Sequence, residues 1–246
     1  MPYFSFSQIQ IGPVTIYVLG LFMAIGFLVS FLLILKKASK DDKVIITDSF
    51  SWLLLGVIIG SRLGYVVQNS ELFSNPVDIL KIWEGGMTFH GGLIGLLLFG
   101  IVFAKLRKLT FSDFLRIADQ ISLFAPLGVA IGRIGCTLIN DHQGTESVWG
   151  IVWPDGIIRH PVAPYLIIAN LIIFFILRQL NKKSNYSGYL FTSFLFLYSI
   201  SRLLLDFTRS TIADPRCWGL STVQWLSILI ILGIIIIRKT LKSRNF

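Results

Sequence analysis

Seven runs of apolar residues, separated by short polar connections, set the plan of the chain: roughly 14 to 35, 50 to 67, 88 to 104, 115 to 139, 161 to 180, 187 to 208 and 221 to 237. Each is close to the ~20 residues that carry a helix across a bilayer core, within the tolerance that tilt allows. In lipid every backbone N–H and C=O has to be satisfied inside the protein. Unbroken apolar runs also lack the period-two alternation of a barrel strand, so helices are the expected form. The pattern predicts an all-α, polytopic membrane protein of seven transmembrane helices. It forms a single domain over residues 1–246, with short exterior loops near 68–87, 140–160 and 209–220. No fixed-period repeat, low-complexity tract or flexible linker breaks the series.

The polar connections fix an orientation. Lys36, Lys37, Lys40 and Lys43 follow the first run, Lys105, Arg107 and Lys108 the third, Lys182 and Lys183 the fifth, and Arg238, Lys239, Lys242 and Arg244 the seventh. All four clusters fall on one side of a seven-helix chain. The positive-inside rule makes that side cytoplasmic, with the N-terminus outside and the C-terminus inside. The opening MPYFSFSQIQIGP has no basic stretch before its apolar run and no small-residue cleavage site after it, so the first run is expected to stay as an anchor rather than be removed.

Composition sharpens the class. Hydrophobic residues make up 54% of the 246 and charged residues 14%, against about a quarter charged in a soluble domain. A net charge of +9 would raise nucleic acid as a partner in a soluble chain, but here the bases lie between apolar runs and serve topology, so no nucleic acid is expected. Two cysteines, Cys136 and Cys217, are too few for a disulfide framework.

Charge placed at membrane depth costs ~2.5–3.5 kcal/mol or more, which makes each retained polar group a functional candidate. Such groups are Arg62 in GSRLGYV, His90 in GGMTFHGGLIG, Asp119, Arg133 in GVAIGRIGC, and Arg202 with Asp206. Apart from Asp119, all map toward the exterior half. His90 is either a satisfied structural histidine or, flanked by glycines at 85, 86, 91, 92 and 95, an imidazole that a ligand can reach. Its ordinary titration near neutral pH suits proton exchange with a thiol or phosphate. Arg133 reads equally as a helix-bridging or snorkelling residue and as a phosphate ligand, since guanidinium is a planar fork that stays charged in poor solvent. Three arginines at similar depth, Arg62, Arg133 and Arg202, favour an anionic ligand. Arg202 and Asp206 stand four apart on one helix face, which fits a simple ion pair and fits an acid that orients the arginine. The tryptophans fall near helix ends, as an aromatic belt does. Asp141, His142 and His160 match no recognised metal-ligand spacing, so neither a metal nor another cofactor is expected.

Taken in order, IGPVTIYVLGL, GSRLGYV, WEGGMTFHGGLIG, GRIGCTLINDHQG, RHPVAPY and SRLLLDFTR resemble the prolipoprotein diacylglyceryl transferase family across nearly the whole chain. The resemblance implies an enzyme of the bacterial cytoplasmic (inner) membrane. Such an enzyme takes phosphatidylglycerol from the surrounding membrane lipids, moves its diacylglyceryl group to the lipobox cysteine in a prolipoprotein signal peptide, and releases glycerol phosphate. It assigns His90 as a base toward the thiol, and Arg133 and Arg202 as the phospholipid-binding or catalytic arginines. Substrate-binding positions follow from the same motifs: Arg62 and Tyr65, Gly91 and Gly92, Gly135, Cys136, Asp141 and Asp206. The chemistry is consistent, because a thiolate attacks carbon and fixed cations stabilise a departing phosphate in a dry site.

The chain departs from the family at Cys136, where an asparagine is usual, at Asp141, where a glutamate is, at Leu19 in place of a tyrosine, and at Ala163 and Leu166 in place of polar residues. Cys136 reads as a small packing residue or as a nucleophile; buried cysteine behaves as a small hydrophobe. Two rival functions follow from these departures: a relative with another phospholipid donor or thiol acceptor, and a lipid-binding membrane protein without transfer.

Overall fold

The computed structural model describes residues 3–12, 14–73, 75–81, 86–141, 143–183, 186–211 and 216–243. In chain order the elements are β1 (Gln8–Ile11), β2 (Val14–Tyr17), α1 (Val18–Lys37), α2 (Lys40–Gln68), α3 (Phe89–Leu106), α4 (Phe111–Ile139), β3 (Glu146–Val152), β4 (Ile158–Arg159), α5 (Val162–Leu180), α6 (Tyr189–Leu205), β5 (Arg216–Cys217), β6 (Leu220–Ser221) and α7 (Thr222–Ser243). Each of the seven apolar runs coincides over most of its length with one α-helix. Five described stretches are long and apolar enough to cross a membrane: Val18–Lys37, Lys40–Gln68, Phe111–Ile139, Val162–Lys183 and Tyr189–Thr208. Ile94–Leu106 and Thr222–Ile236 are shorter apolar stretches.

The structure adds what hydropathy does not carry. Antiparallel hairpins β1–β2, β3–β4 and β5–β6 lie between the helices. Residues 14–17, expected as the start of the first helix, form a strand: the β-branched Val14, Thr15 and Ile16 favour extended backbone, and Gly12 turns the chain at φ 60°. The second helix starts ten residues before its apolar run, at Lys40 rather than 50. Ser39 accepts the Asp42 N–H at 3.2 Å as N-cap, and Asp41 and Asp42 lie at the positive helix end.

The described chain divides into two compact units, Met1–Lys37 with Ala118–Phe246, and Ala38–Ile117. In the first, α6 packs on both α5 and α7, and Leu123, Ile173, Leu177 and Leu190 form a buried apolar cluster joining α4, α5 and α6. Helix α1 meets α4 through glycine: a Cβ on Gly128 would stand 2.8 Å from the Gly26 carbonyl oxygen, and the Ser30 hydroxyl donates to Phe124 O at 3.1 Å. Where lipid offers no hydrophobic drive between helices, such close backbone packing and interhelical hydrogen bonds hold them. Asp119 has a structural position: from α4 its carboxylate accepts the Gly188 and Phe191 N–H groups, both at 2.7 Å, and so closes the start of α6.

In the second unit α2 and α3 run against each other along glycines. A Cβ on Gly56 would meet the Phe99 Cβ at 2.7 Å, one on Gly60 the Gly95 Cα at 2.7 Å, and one on Gly64 the Gly91 Cα at 2.9 Å. Small residues four apart form the groove that permits this approach. Outside the apolar contact, Arg116 pairs with Asp42 and Asp113, and Arg107 with Asp48.

Candidate functional site

In the first unit the charged residues gather where α4 and α6 end. Helix α4 stops at Asn140, whose φ of 52° is one that asparagine tolerates after a helix end. The carbonyls left over there are satisfied from the N-terminal segment: the Phe6 N–H donates to Leu138 O at 2.8 Å and the Ser5 hydroxyl to Ile139 O at 3.1 Å, while Asn140 Nδ2 returns a bond to Phe4 O at 2.9 Å. About two turns before that end, Arg133 Nη1 reaches the Cys136 sulfur at 3.5 Å. The same buried thiol also hydrogen-bonds with the Asp141 side chain. Gly135 faces α1, where a Cβ would stand 3.2 Å from the Leu19 Cα and 3.0 Å from the Phe22 Cβ. Its place is explained by helix packing.

On α6, Tyr198, Arg202 and Asp206 follow one another at four-residue spacing and so share a face. Arg202 Nη2 lies 3.5 Å from Asp206 Oδ1, and Arg209 Nη1 lies 3.7 Å from the same oxygen. Asp206 is only 2% exposed and Arg202 7%. Arg133, Arg209 and Tyr198 all stand within electrostatic reach of Arg202. A backbone tie draws the ends of the two helices together: Gly144 bridges to Arg209, the Ser210 N–H donates to Gln143 O at 3.0 Å, and the Thr145 N–H to Thr208 O at 2.8 Å. The other side of Thr145 accepts the His160 N–H at 3.0 Å, and a Cβ on Gly144 would stand 3.0 Å from the His160 Cβ, so only glycine fits. His160 points its Nδ1 at the Tyr165 hydroxyl, 3.0 Å away, and packs edge-on against Trp149.

The β3–β4 hairpin above this region bulges at 147–150, since Glu146 and Ile151 both face Arg159. Its turn is held by a two-pronged ion pair, Arg159 Nη1 to Asp155 Oδ1 at 2.8 Å and Nη2 to Oδ2 at 2.7 Å, which with the Ile157 N–H holds the exposed Asp155 carboxyl down to about 2.

In the second unit Arg62 is buried and donates to three carbonyls: Nε to Ile79 O at 2.8 Å, Nη2 to Asp78 O at 2.6 Å and Nη1 to Gly86 O at 3.2 Å. Phe73 covers its guanidinium at 5.2 Å, and Tyr65 packs edge-on against Phe73. Arg62 and Tyr65 therefore shape the segment that leads to α3. Gly91 sits against α2, where a Cβ would meet the Gly64 Cα at 3.0 Å, whereas Gly92 has ordinary clearance, 3.4 Å to the Ser61 Cβ. His90 belongs to the first turn of α3, entered through Thr88, whose N–H donates to Ser61 O at 3.0 Å. Its side chain, residues 82–85 with Trp83, and His142 lie outside the described residues. Among the described residues no group of three or more His, Cys, Asp and Glu gathers as a metal site.

Arg202 and Arg209 flank the buried Asp206, and Arg133 stands within electrostatic reach of Arg202, a gathering of guanidinium groups that suits an anion with several oxygens. The model of the family described as prolipoprotein diacylglyceryl transferase matches residues 7–238. The chain belongs to that family. It is a multi-pass membrane protein. Among the family's curated members it is similar to the phosphatidylglycerol–prolipoprotein diacylglyceryl transferases of Bordetella bronchiseptica, 34% identical over 92% of this chain and 90% of that one, and of Vibrio parahaemolyticus, 35% identical over 92% and 87%. That of Pasteurella multocida is 35% identical over 84% and 82%.

Two residues of the arginine cluster escape a reading of the sequence. Tyr198 carries a signal, the four-residue spacing to Arg202. Arg209 follows Asp206 in SRLLLDFTR but lies beyond the helix, where spacing no longer tells direction.

Proposed function

We propose that the chain transfers the diacylglyceryl group of phosphatidylglycerol to the lipobox cysteine thiol of prolipoproteins in the bacterial cytoplasmic membrane. The observation that carries this is the gathering of Arg202 and Arg209 about the buried Asp206 with Arg133 in electrostatic reach of Arg202, in a chain whose relatives are named for that reaction. In the proposed step the thiol loses its proton to His90, and the thiolate forms a C–S bond at the glycerol carbon that bears the phosphate. The C–O bond to phosphate breaks, and glycerol phosphate departs with the electron pair. Arg133 and Arg202 hold the phosphate oxygens and stabilise the charge that grows on them, because guanidinium remains charged where water is excluded. Asp206 keeps Arg202 and Arg209 from repelling each other, and Arg62 and Tyr65 act through the segment they hold before α3.

The same reading has the chain cross the membrane seven times, with the N-terminus outside and the basic connections cytoplasmic. Cys136 favours a second reading, a relative with an altered donor or acceptor, since a thiol stands where an amide would offer both a donor and an acceptor. One assay separates these from a lipid-binding protein. Purified protein is incubated with phosphatidylglycerol and a lipobox peptide, and mass spectrometry looks for the diacylglyceryl addition. Bound lipid without adduct rejects transfer; an adduct formed only with another phospholipid supports the altered donor.

A further inference from the structure

Asp206 has one oxygen facing two arginines and the other facing α7. Among the described residues its Oδ1 accepts no hydrogen bond, only the longer ion pairs at 3.5 and 3.7 Å. Its Oδ2 accepts the Ser221 hydroxyl, and both partners are about 2% exposed. A buried carboxylate held by charge alone has no preferred direction, because Coulomb attraction at these distances is nearly isotropic. A hydrogen bond is directional. The direction of Asp206, and with it the point toward which Arg202 is drawn, is therefore set by Ser221.

Ser221 in turn belongs to a capping box at the start of α7. The run Ser221-Thr222-Val223-Gln224 puts serine before the helix and glutamine three residues on. Both reciprocal bonds are present: the Gln224 N–H donates to Ser221 Oγ at 3.2 Å, and the Ser221 N–H donates to Gln224 Oε1 at 2.9 Å. Capping uses the serine oxygen as acceptor and leaves its proton free, and that proton goes to Asp206. The glutamine also has a second task. Its Nε2 donates to Leu203 O at 3.2 Å, tying the box to α6 one residue after Arg202. Gln224 is fully buried.

We propose that Ser221 and Gln224 are positioning residues for the reaction: the capping box of α7 aims the Asp206 carboxylate, and through it holds Arg202 on the phosphate of the lipid. The inference rests on the transfer reading given above. A purely structural cap needs only an acceptor, and glycine at that position costs a helix little. The aiming role needs the hydroxyl proton.

The two roles separate in Ser221→Gly and Ser221→Thr. Full-length protein in phosphatidylglycerol micelles is assayed with a lipobox peptide, and melting is followed in parallel. Ser221→Gly keeps its melting temperature to within a few degrees and loses about tenfold in kcat, the scale of one bond to a buried charge, with KM for phosphatidylglycerol changed less than threefold. Ser221→Thr returns most of the rate. Gln224→Ala, which loses the α6 tie, falls further. Wild-type kcat in Ser221→Gly overturns the proposal, as does a rate that merely follows the melting temperature across the three variants. If the wild-type protein makes no adduct, transfer itself is rejected. The positioning role, being a role in that reaction, falls with it.

Discussion

Gly60 of α2 and Gly91 of α3 pass with no room for a side chain on either, since a Cβ on each would overlap the carbonyl oxygen of the other. Gly60→Ala and Gly91→Ala should therefore each push the two helices apart and lower the melting temperature by several degrees, on the scale of about 1–3 kcal/mol for overpacking. Gly92→Ala meets only ordinary contacts and should melt like wild type. A Gly92→Ala protein that is stable yet loses transfer would mark Gly92 as a place where lipid lies. A Gly60→Ala protein with unchanged melting would contradict the packing described.

Arg133→Ala and Arg202→Ala should each lower kcat by about 100-fold or more, as loss of a preorganised charge donor does. Arg202→Lys should recover little, because a point charge does not reproduce the planar fork. His90→Ala should lose most activity while the protein still inserts. Initial rates of peptide diacylglyceryl addition, with melting as control, check all four. Full rates in Arg202→Ala would remove that residue from the reaction.

Cys136→Asn should keep or raise the rate if the thiol is only a packing residue between Arg133 and Asp141. Leu19 and Cys136 lie on either side of the Gly135 contact, so Leu19→Tyr belongs in the same experiment, alone and combined. A rate that collapses in Cys136→Asn at unchanged stability would give the cysteine a role of its own.

Asp119→Ala should destabilise the protein by about 1–3 kcal/mol, since it leaves the Gly188 and Phe191 N–H groups without their buried acceptor. Asp119→Asn keeps one acceptor oxygen and should lie between. Rates measured well below the melting temperature should stay near wild type in both, and a specific rate loss there would show a function beyond capping.

The Asp155–Arg159 pair gives a pH dependence of definite sign. The Asp155 carboxyl sits at about 2, below its ordinary 3.8, because Arg159 and the Ile157 N–H bond its charged form. A lowered carboxylate stabilises the fold fully above about pH 4 and loses that contribution as pH falls through 2. The Trp153 indole resonance, beside Arg159 at 5.8 Å, should hold steady from pH 8 to 5 and move only in acid. In Asp155→Asn it should show no such acid step; an identical titration in the variant would assign the step elsewhere.

The helices were legible because lipid forces one pattern on the sequence: long apolar runs can only be helices. The hairpins were not, since Arg216 to Ser221 and Glu146 to Arg159 carry no long alternation and depend on turns such as those at Trp218 and Gly219, both at positive φ. The arginines stood out by their cost at depth, but their different tasks did not. Arg62 and Arg202 look alike in sequence, and only the fold shows that one serves three carbonyls and the other an aspartate. The S-x-x-Q signal before α7 was present in the sequence; that its spare proton meets Asp206 depends on where α6 ends.

Helix α6 is anchored at both extremities, by Asp119 at its first turn and by Gln224 at Leu203. Between Gly188 and Leu203 lie 15 residue steps, about 22 Å at helical rise. A rod indexed at two points that far apart neither slides along its axis nor turns about it without breaking buried bonds. In the proposed transfer, traffic of lipid and peptide past Arg202 is therefore accommodated by other parts of the molecule, with α6 as the fixed rail against which they move.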